Sequence, residues 1–114
     1  GRDRLAKGFE IGAESRAMIE DFHERVSKAL ARSMDALLSA DPAAARKVSK
    51  MKSQINLRAD ALAEHYARRL VAPEDNRVEL YRLETDVVAN LRRIYYFARR
   101  TARAAIPVRE QAAS

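Results

Sequence analysis

Glu20 and His23 stand three residues apart, a spacing that lets a carboxylate and an imidazole share one side of a helix and one metal ion. A carboxylate-bridged metal pair needs a second such couple and two further acids on facing helices. His65 completes no second couple, and Glu64 points away from the apolar stripe of its own segment. The couple therefore reads as a solvated flank. Glu10/Glu14, Glu20/Glu24 and Asp60/Glu64 are carboxylates four apart, which by themselves are surface pairs balanced by nearby arginines. The serines at 15, 27, 33, 39, 49 and 53 have no histidine at a telling spacing, so no nucleophile–base–orienter set is readable. A glycine-rich phosphate loop is also missing from the sequence. Catalysis is not expected, and neither is a metal or organic cofactor.

The other chemistry-bearing stretch runs from Tyr81 to Ala105 and combines tyrosines and arginines with an apolar stripe. Arg92, Arg99, Arg100 and Arg103 are expected on the outer face of a helix, with Tyr96 among them and Arg93 at the side. Either this is a solvated helix back, Tyr96 lying under guanidinium planes, or it is a docking ridge. Lys47, Lys50, Lys52 and Arg58 form a second basic group, also expected at the surface.

These groups need elements to hold them, and the composition says helices. The 114 residues include three Gly, three Pro and no Cys; 47% are hydrophobic and 33% charged. Ala, Leu, Arg and Glu dominate and β-branched residues are sparse, which disfavours strands. Without cysteine there is no disulfide and no thiolate metal site. No apolar run reaches the ~18 residues that suggest a bilayer span, so the chain is expected to be soluble as it stands. That leaves room for a larger membrane protein around it, and Gly1, where a native start would carry Met, reads as an added residue or an arbitrary cut. The net charge of +6 is concentrated late in the chain: after residue 89 six arginines face Glu110 alone. Such an end can favour nucleic acid, anionic lipid or an acidic protein. Nucleic acid is disfavoured, because no helix-turn-helix spacing accompanies the charge.

Two turns divide the chain. Asp41 followed by Pro42 is a helix cap with proline at the first helical position. Pro73 ends a second helix, and Asn76 with Glu79 has capping-box spacing, Asp75 being an equal alternative as cap. Three helices are expected, over about 14–39, 42–71 and 77–105. Residues 1–13 form an irregular or extended segment, 14–106 the domain and 107–114 a tail. The first stripe is Ser15, Ile19, Phe22, Val26, Ala29, Ser33 and Leu37. The second follows Ala44, Val48, Met51, Ile55, Ala59, Leu62, Tyr66 and Leu70. The third follows Leu80, Leu83, Val87, Leu91, Ile94, Ala98, Thr101 and Ala105. Short connections between long helices imply an all-α, antiparallel up-down-up three-helix bundle. Tyr81, Val88, Tyr95 and Ala102, seven apart, make a shoulder about 100° round the third helix. It either widens the core face or forms a seam for a fourth helix or second subunit.

The "HYARRL" end of the second helix, the "P-x-D-N-R" turn, the "YRLET" start of the third helix and its "LRRIYYFARR" run resemble the PhoU-like cytosolic domain of bacterial sodium/phosphate cotransporters. The likeness covers roughly residues 15–105. It implies a PhoU helical bundle hanging on the cytoplasmic side of the inner membrane as part of a phosphate symporter. It implies a regulatory or accessory role in phosphate uptake without catalysis; the alternative reading is a stand-alone homodimeric helical adaptor with no transporter attached. PhoU proteins usually carry two three-helix repeats, whereas this chain has room for one, so two copies are expected to pair. Many such repeats place an E-x-x-x-D metal motif on the third helix. Here those places hold Arg92 and Tyr96, which cannot replace hard carboxylate ligands, so loss of that site is expected. The expected interaction surface is Tyr81, Val88, Arg92, Tyr95, Tyr96, Arg99, Arg100 and Arg103. Its expected partners are the transporter's membrane domain, another copy of the chain, and an anionic lipid surface.

Overall fold

The structure, a computed structural model, describes residues 12–70 and 77–108. The described chain is helical throughout: α1 (Ala13–Ser39), α2 (Pro42–Lys50), α3 (Lys52–Leu70) and α4 (Arg77–Arg103). None of these helices is long and apolar enough to cross a membrane. The Pro73 turn with Asp75 and Asn76, like Glu10 and most of the 1–13 segment, lies outside the described residues.

The α1–α2 turn forms as its residues dictate. Asp41 accepts from the backbone N–H groups of Ala43 and Ala44 at 3.0 and 3.3 Å, with Pro42 beside it at the helix start. Just before it, Ala40 takes the left-handed conformation, φ 48° and ψ 51°. The N–H of Asp41 then reaches back to the Ala36 carbonyl at 2.9 Å, the long bond of a Schellman ending. Glycine is the usual residue there, and the sequence contains no sign of the requirement.

The second rod differs from expectation by one residue. α2 and α3 are separate stretches of it, interrupted at Met51. Met51 keeps right-handed dihedrals, φ −74° and ψ −12°, but its N–H bonds to the Val48 carbonyl at 3.2 Å in a 3₁₀-like step. The cause lies in α4. Tyr95 donates its hydroxyl hydrogen to the same Val48 carbonyl at 2.8 Å, so a side chain enters the helical ladder.

Side-chain links give the register. Ser15 meets His65 and Arg69, Asp21 meets Arg58, and Arg25 meets Gln54, so numbers rise along α1 as they fall along α3. Arg69 with Glu84, Asn56 with Arg92 and Val48 with Tyr95 relate the second rod to α4 in the same way. The core is a narrow column: Phe22, Val26, Ala29 and Ala36 from α1, Val48, Ile55 and Leu62 from the second rod, Val88, Tyr95, Ala98 and Ala102 from α4, closed by Ile106. The body measures 59 × 24 × 18 Å, and its radius of gyration is 17.6 Å. A compact chain of this length would have about 13 Å.

The α1 and second-rod stripes are buried largely as read, apart from Leu37 at the exposed end of α1. The α4 stripe is buried in part: Leu80 and Ala98 lie in the core, and Leu91 and Ala105 pack against it. Leu83, Val87 and Ile94 are exposed, and the face turned inward carries Leu80, Glu84, Val88, Tyr95 and Ala102. The Tyr81–Val88–Tyr95–Ala102 shoulder is therefore the core side of α4. Tyr95 decides the rotation: its ring fills the space beside α2, and its hydroxyl finds the Val48 carbonyl.

Candidate functional site

A buried polar network closes one end of the bundle. It draws Ser15 from the first turn of α1, His65 and Arg69 from the last turns of α3, and Glu84 from the second turn of α4. Ser15 Oγ lies 2.6 Å from His65 Nε2, and Arg69 Nη1 donates to both Ser15 Oγ and Glu84 Oε2 at 2.9 Å. Ser15 Oγ accepts from Arg69, and the imidazole tautomer decides whether it donates to or accepts from His65 Nε2. Burial pushes the Glu84 carboxyl above the usual range, with the Arg69 charge and hydrogen bond acting against that shift. Burial also raises the Tyr66 phenol, and Glu84 nearby adds to this.

The serine–histidine contact was not readable in the sequence, since fifty residues separate the pair. The clue was positional: Ser15 lies on the stripe of one helix and His65 borders the stripe of its neighbour, opposite it in register. The contact is not a nucleophile couple. Ser15 is 2% exposed, too enclosed to meet a substrate, and the only acid in the network is tied to Arg69 rather than to the imidazole. The network's work is structural, holding three helices together at one end.

Arg92 and Tyr96 form a second cross-link. Arg92 donates through Nε and Nη2 to Asn56 Oδ1 at 3.1 and 2.8 Å, and the Tyr96 hydroxyl lies 3.1 Å from Asn56 Nδ2. These two side chains were expected on an outer face. They instead turn to α3 and are half-buried, and Tyr96 sets its ring edge-on to Tyr95 with centroids 5.4 Å apart. One amide side chain of α3 thus serves both the Arg92 guanidinium and the Tyr96 phenol. Among the described residues no group of three or more His, Cys, Asp or Glu comes together.

The rest of the expected surface divides. Val88 and Tyr95 are core residues and offer no contact to a partner. Tyr81 is half-buried against the core; Arg99 and Arg103 are half-buried, and Arg100 is exposed. Glu24 and Glu64 are bound to Lys28 and Arg68 at 3.2 and 3.5 Å, as expected of balanced surface acids.

What α4 leaves open is a different apolar face. Leu83, Val87, Ile94 and Phe97 are 57%, 47%, 40% and 57% exposed. Val87 and the half-buried Leu91 line a shallow depression of about 300 Å³ with Ile19, Glu20 and His23 of α1. The Glu20–His23 couple is thus the polar rim of an apolar groove. Met34 and Leu37 extend the α1 side of exposed apolar surface. Exposed large apolar side chains on adjoining helices make this face a candidate for interaction.

Residues 19–105 match the PhoU domain family. No curated protein and no solved structure matches the chain.

Proposed function

The chain belongs to the PhoU domain family, and from that premise we propose that it is a non-catalytic regulatory domain in phosphate homeostasis that acts by docking. The opposed register of the three rods supports an up-down-up bundle, one PhoU repeat. The observation that carries the docking role is the uncovered α1/α4 face, Leu83, Val87, Ile94 and Phe97 foremost.

The occupant we propose is a second copy. Asp86 and Arg93, seven residues apart, flank that stripe on one side with Asn90 between them. Both are exposed, and neither is ion-paired among the described residues. A twofold axis near Asn90 would set Asp86 against the partner's Arg93 and bring the two apolar stripes together. The pair would then serve as the cytoplasmic docking body of a sodium-dependent phosphate carrier, the setting that the "LRRIYYFARR" resemblance supports. A gene product carrying several apolar segments of about 20 residues ahead of Gly1 would fit that setting.

Sedimentation equilibrium tests the pairing. The chain is expected to dimerise, and Val87→Asp with Ile94→Asp to give a folded monomer. Asp86→Arg weakens the dimer, and Asp86→Arg with Arg93→Asp restores it. A chain that stays monomeric at millimolar concentration, or a charge swap without rescue, sinks this arrangement.

A further inference from the structure

A cleft of about 480 Å³ opens between the middle of α1 and the α2–α3 junction. Helical register builds its walls. Arg25, Lys28 and Arg32 recur at three- and four-residue steps on α1, and Lys47 and Lys50 stand three apart on α2. Met51 and Ile55 provide an apolar floor. This is the flank of α1 opposite its Ile19–Met34 side, so the cleft and the uncovered apolar face do not overlap.

The charges are unevenly satisfied. At one end Asp21 is held by Arg25 and Arg58, each at 3.1 Å, and Glu24 by Lys28 at 3.2 Å. Arg25 also reaches Gln54 at 3.0 Å, tying the two walls together. At the other end Arg32, Lys47 and Lys50 point into the same space with no carboxylate paired to them among the described residues. Three like charges from two helices repel one another, and an anion between them would remove that repulsion.

We propose that this cleft binds a small soluble oligophosphate, a chain of at least three linked phosphates as in inorganic tripolyphosphate or a nucleoside triphosphate. Arg25 and Arg32 stand about 10 Å apart along α1 at 1.5 Å per residue: a single phosphate meets only the Arg32, Lys47 and Lys50 end, whereas a chain of linked phosphates also reaches Lys28 and Arg25 by exchanging with Glu24 and Asp21. The apolar floor leaves room for a base, so both sources share the cleft's chemistry. A bound ligand would bridge α1 to α2 and stabilise the fold by mass action. The inference is independent of the docking reading.

Calorimetric titration of the whole chain tests it, at constant ionic strength near ~0.15 M to hold screening fixed. Tripolyphosphate, ATP and orthophosphate are the probes. One tripolyphosphate per chain is expected, with orthophosphate at least about ten-fold weaker, a difference of 1.4 kcal/mol. ATP binding more tightly than tripolyphosphate assigns the floor to the base; ATP binding equally or more weakly assigns the site to the phosphates alone. Lys47→Gln with Lys50→Gln is expected to weaken binding about ten-fold or more, and Arg16→Gln with Arg68→Gln, both exposed and outside the cleft, to leave it unchanged. No binding of tripolyphosphate, orthophosphate binding as tightly, or equal loss in both double variants overturns the proposal. Sedimentation of the same samples reads the pairing separately, so one reading can fail without the other.

Discussion

Tyr95 donates its hydroxyl hydrogen to the backbone carbonyl of Val48 at 2.8 Å, at the point where the second rod loses a regular helical step. The contact links a long-range side chain to a local backbone irregularity. It also sets which side of α4 faces inward. Removing the hydroxyl with Tyr95→Phe keeps the ring and leaves a buried carbonyl underserved, at a cost of about 1 kcal/mol. Urea unfolding at neutral pH measures it.

The same residue predicts an alkaline transition. Burial pushes the Tyr95 phenol up to about 12, against an ordinary value near 10. Folded chains hold the proton where unfolded chains release it. The contribution is therefore complete below the ordinary phenol range and lost as pH rises through about 12. The stability difference between wild type and Tyr95→Phe should shrink, then reverse, across that window. A constant difference would show that the phenol ionises equally in both states.

Glu84 gives the corresponding effect in acid. Its carboxyl is raised by burial despite Arg69. A raised carboxyl contributes stability below its unfolded value and loses it as pH rises through the folded one. Comparison of wild type with Glu84→Gln from acid to neutral pH should show the wild-type advantage declining upward. Replacing Glu84 by Ala is more severe. It leaves Arg69, 21% exposed in its side chain, without its acid, and should cost about 1–3 kcal/mol.

Val87 and Val88 are neighbours with opposite fates, and they test the rotation of α4. Val88 is 7% exposed and Val87 47%. Val88→Ala removes buried methyl groups and should cost about 1–3 kcal/mol. Val87→Ala should stay within about 0.5 kcal/mol in the monomer, as surface changes do. Equal costs would place the core face elsewhere.

Ala40 is an alanine in a glycine conformation. Ala40→Gly should stabilise the domain by about 1 kcal/mol, because the left-handed ending of α1 carries a Cβ penalty. Thermal unfolding would register a rise of several degrees for a domain this small.

Most of the fold could be read in advance because three- and four-residue spacing on α1 and the second rod picks out one apolar face, and because Asp41–Pro42 is a local cap. α4 was harder because it carries two apolar stripes. Leu83 and Ile94 outscore Tyr95 in plain hydrophobicity and Val87 equals Val88, yet a tyrosine with a carbonyl to bind turned the other stripe inward. Local patterns do not include the Val48 carbonyl. For the same reason Ser15–His65 and Asn56–Arg92 stayed invisible: each needs the offset between rods, which follows from side-chain fit across the bundle. Arg92 and Tyr96 were legible as a cation and a ring on one helix, but their shared bond to Asn56 was not.

The slender build has its own outcome. In a body 59 Å long and at most 24 Å wide, interior residues follow one another in single file, so few of them have a second layer behind to lean on. Damage at one level should melt that level and leave distant ones standing, giving unfolding that spreads from an end rather than collapsing all at once.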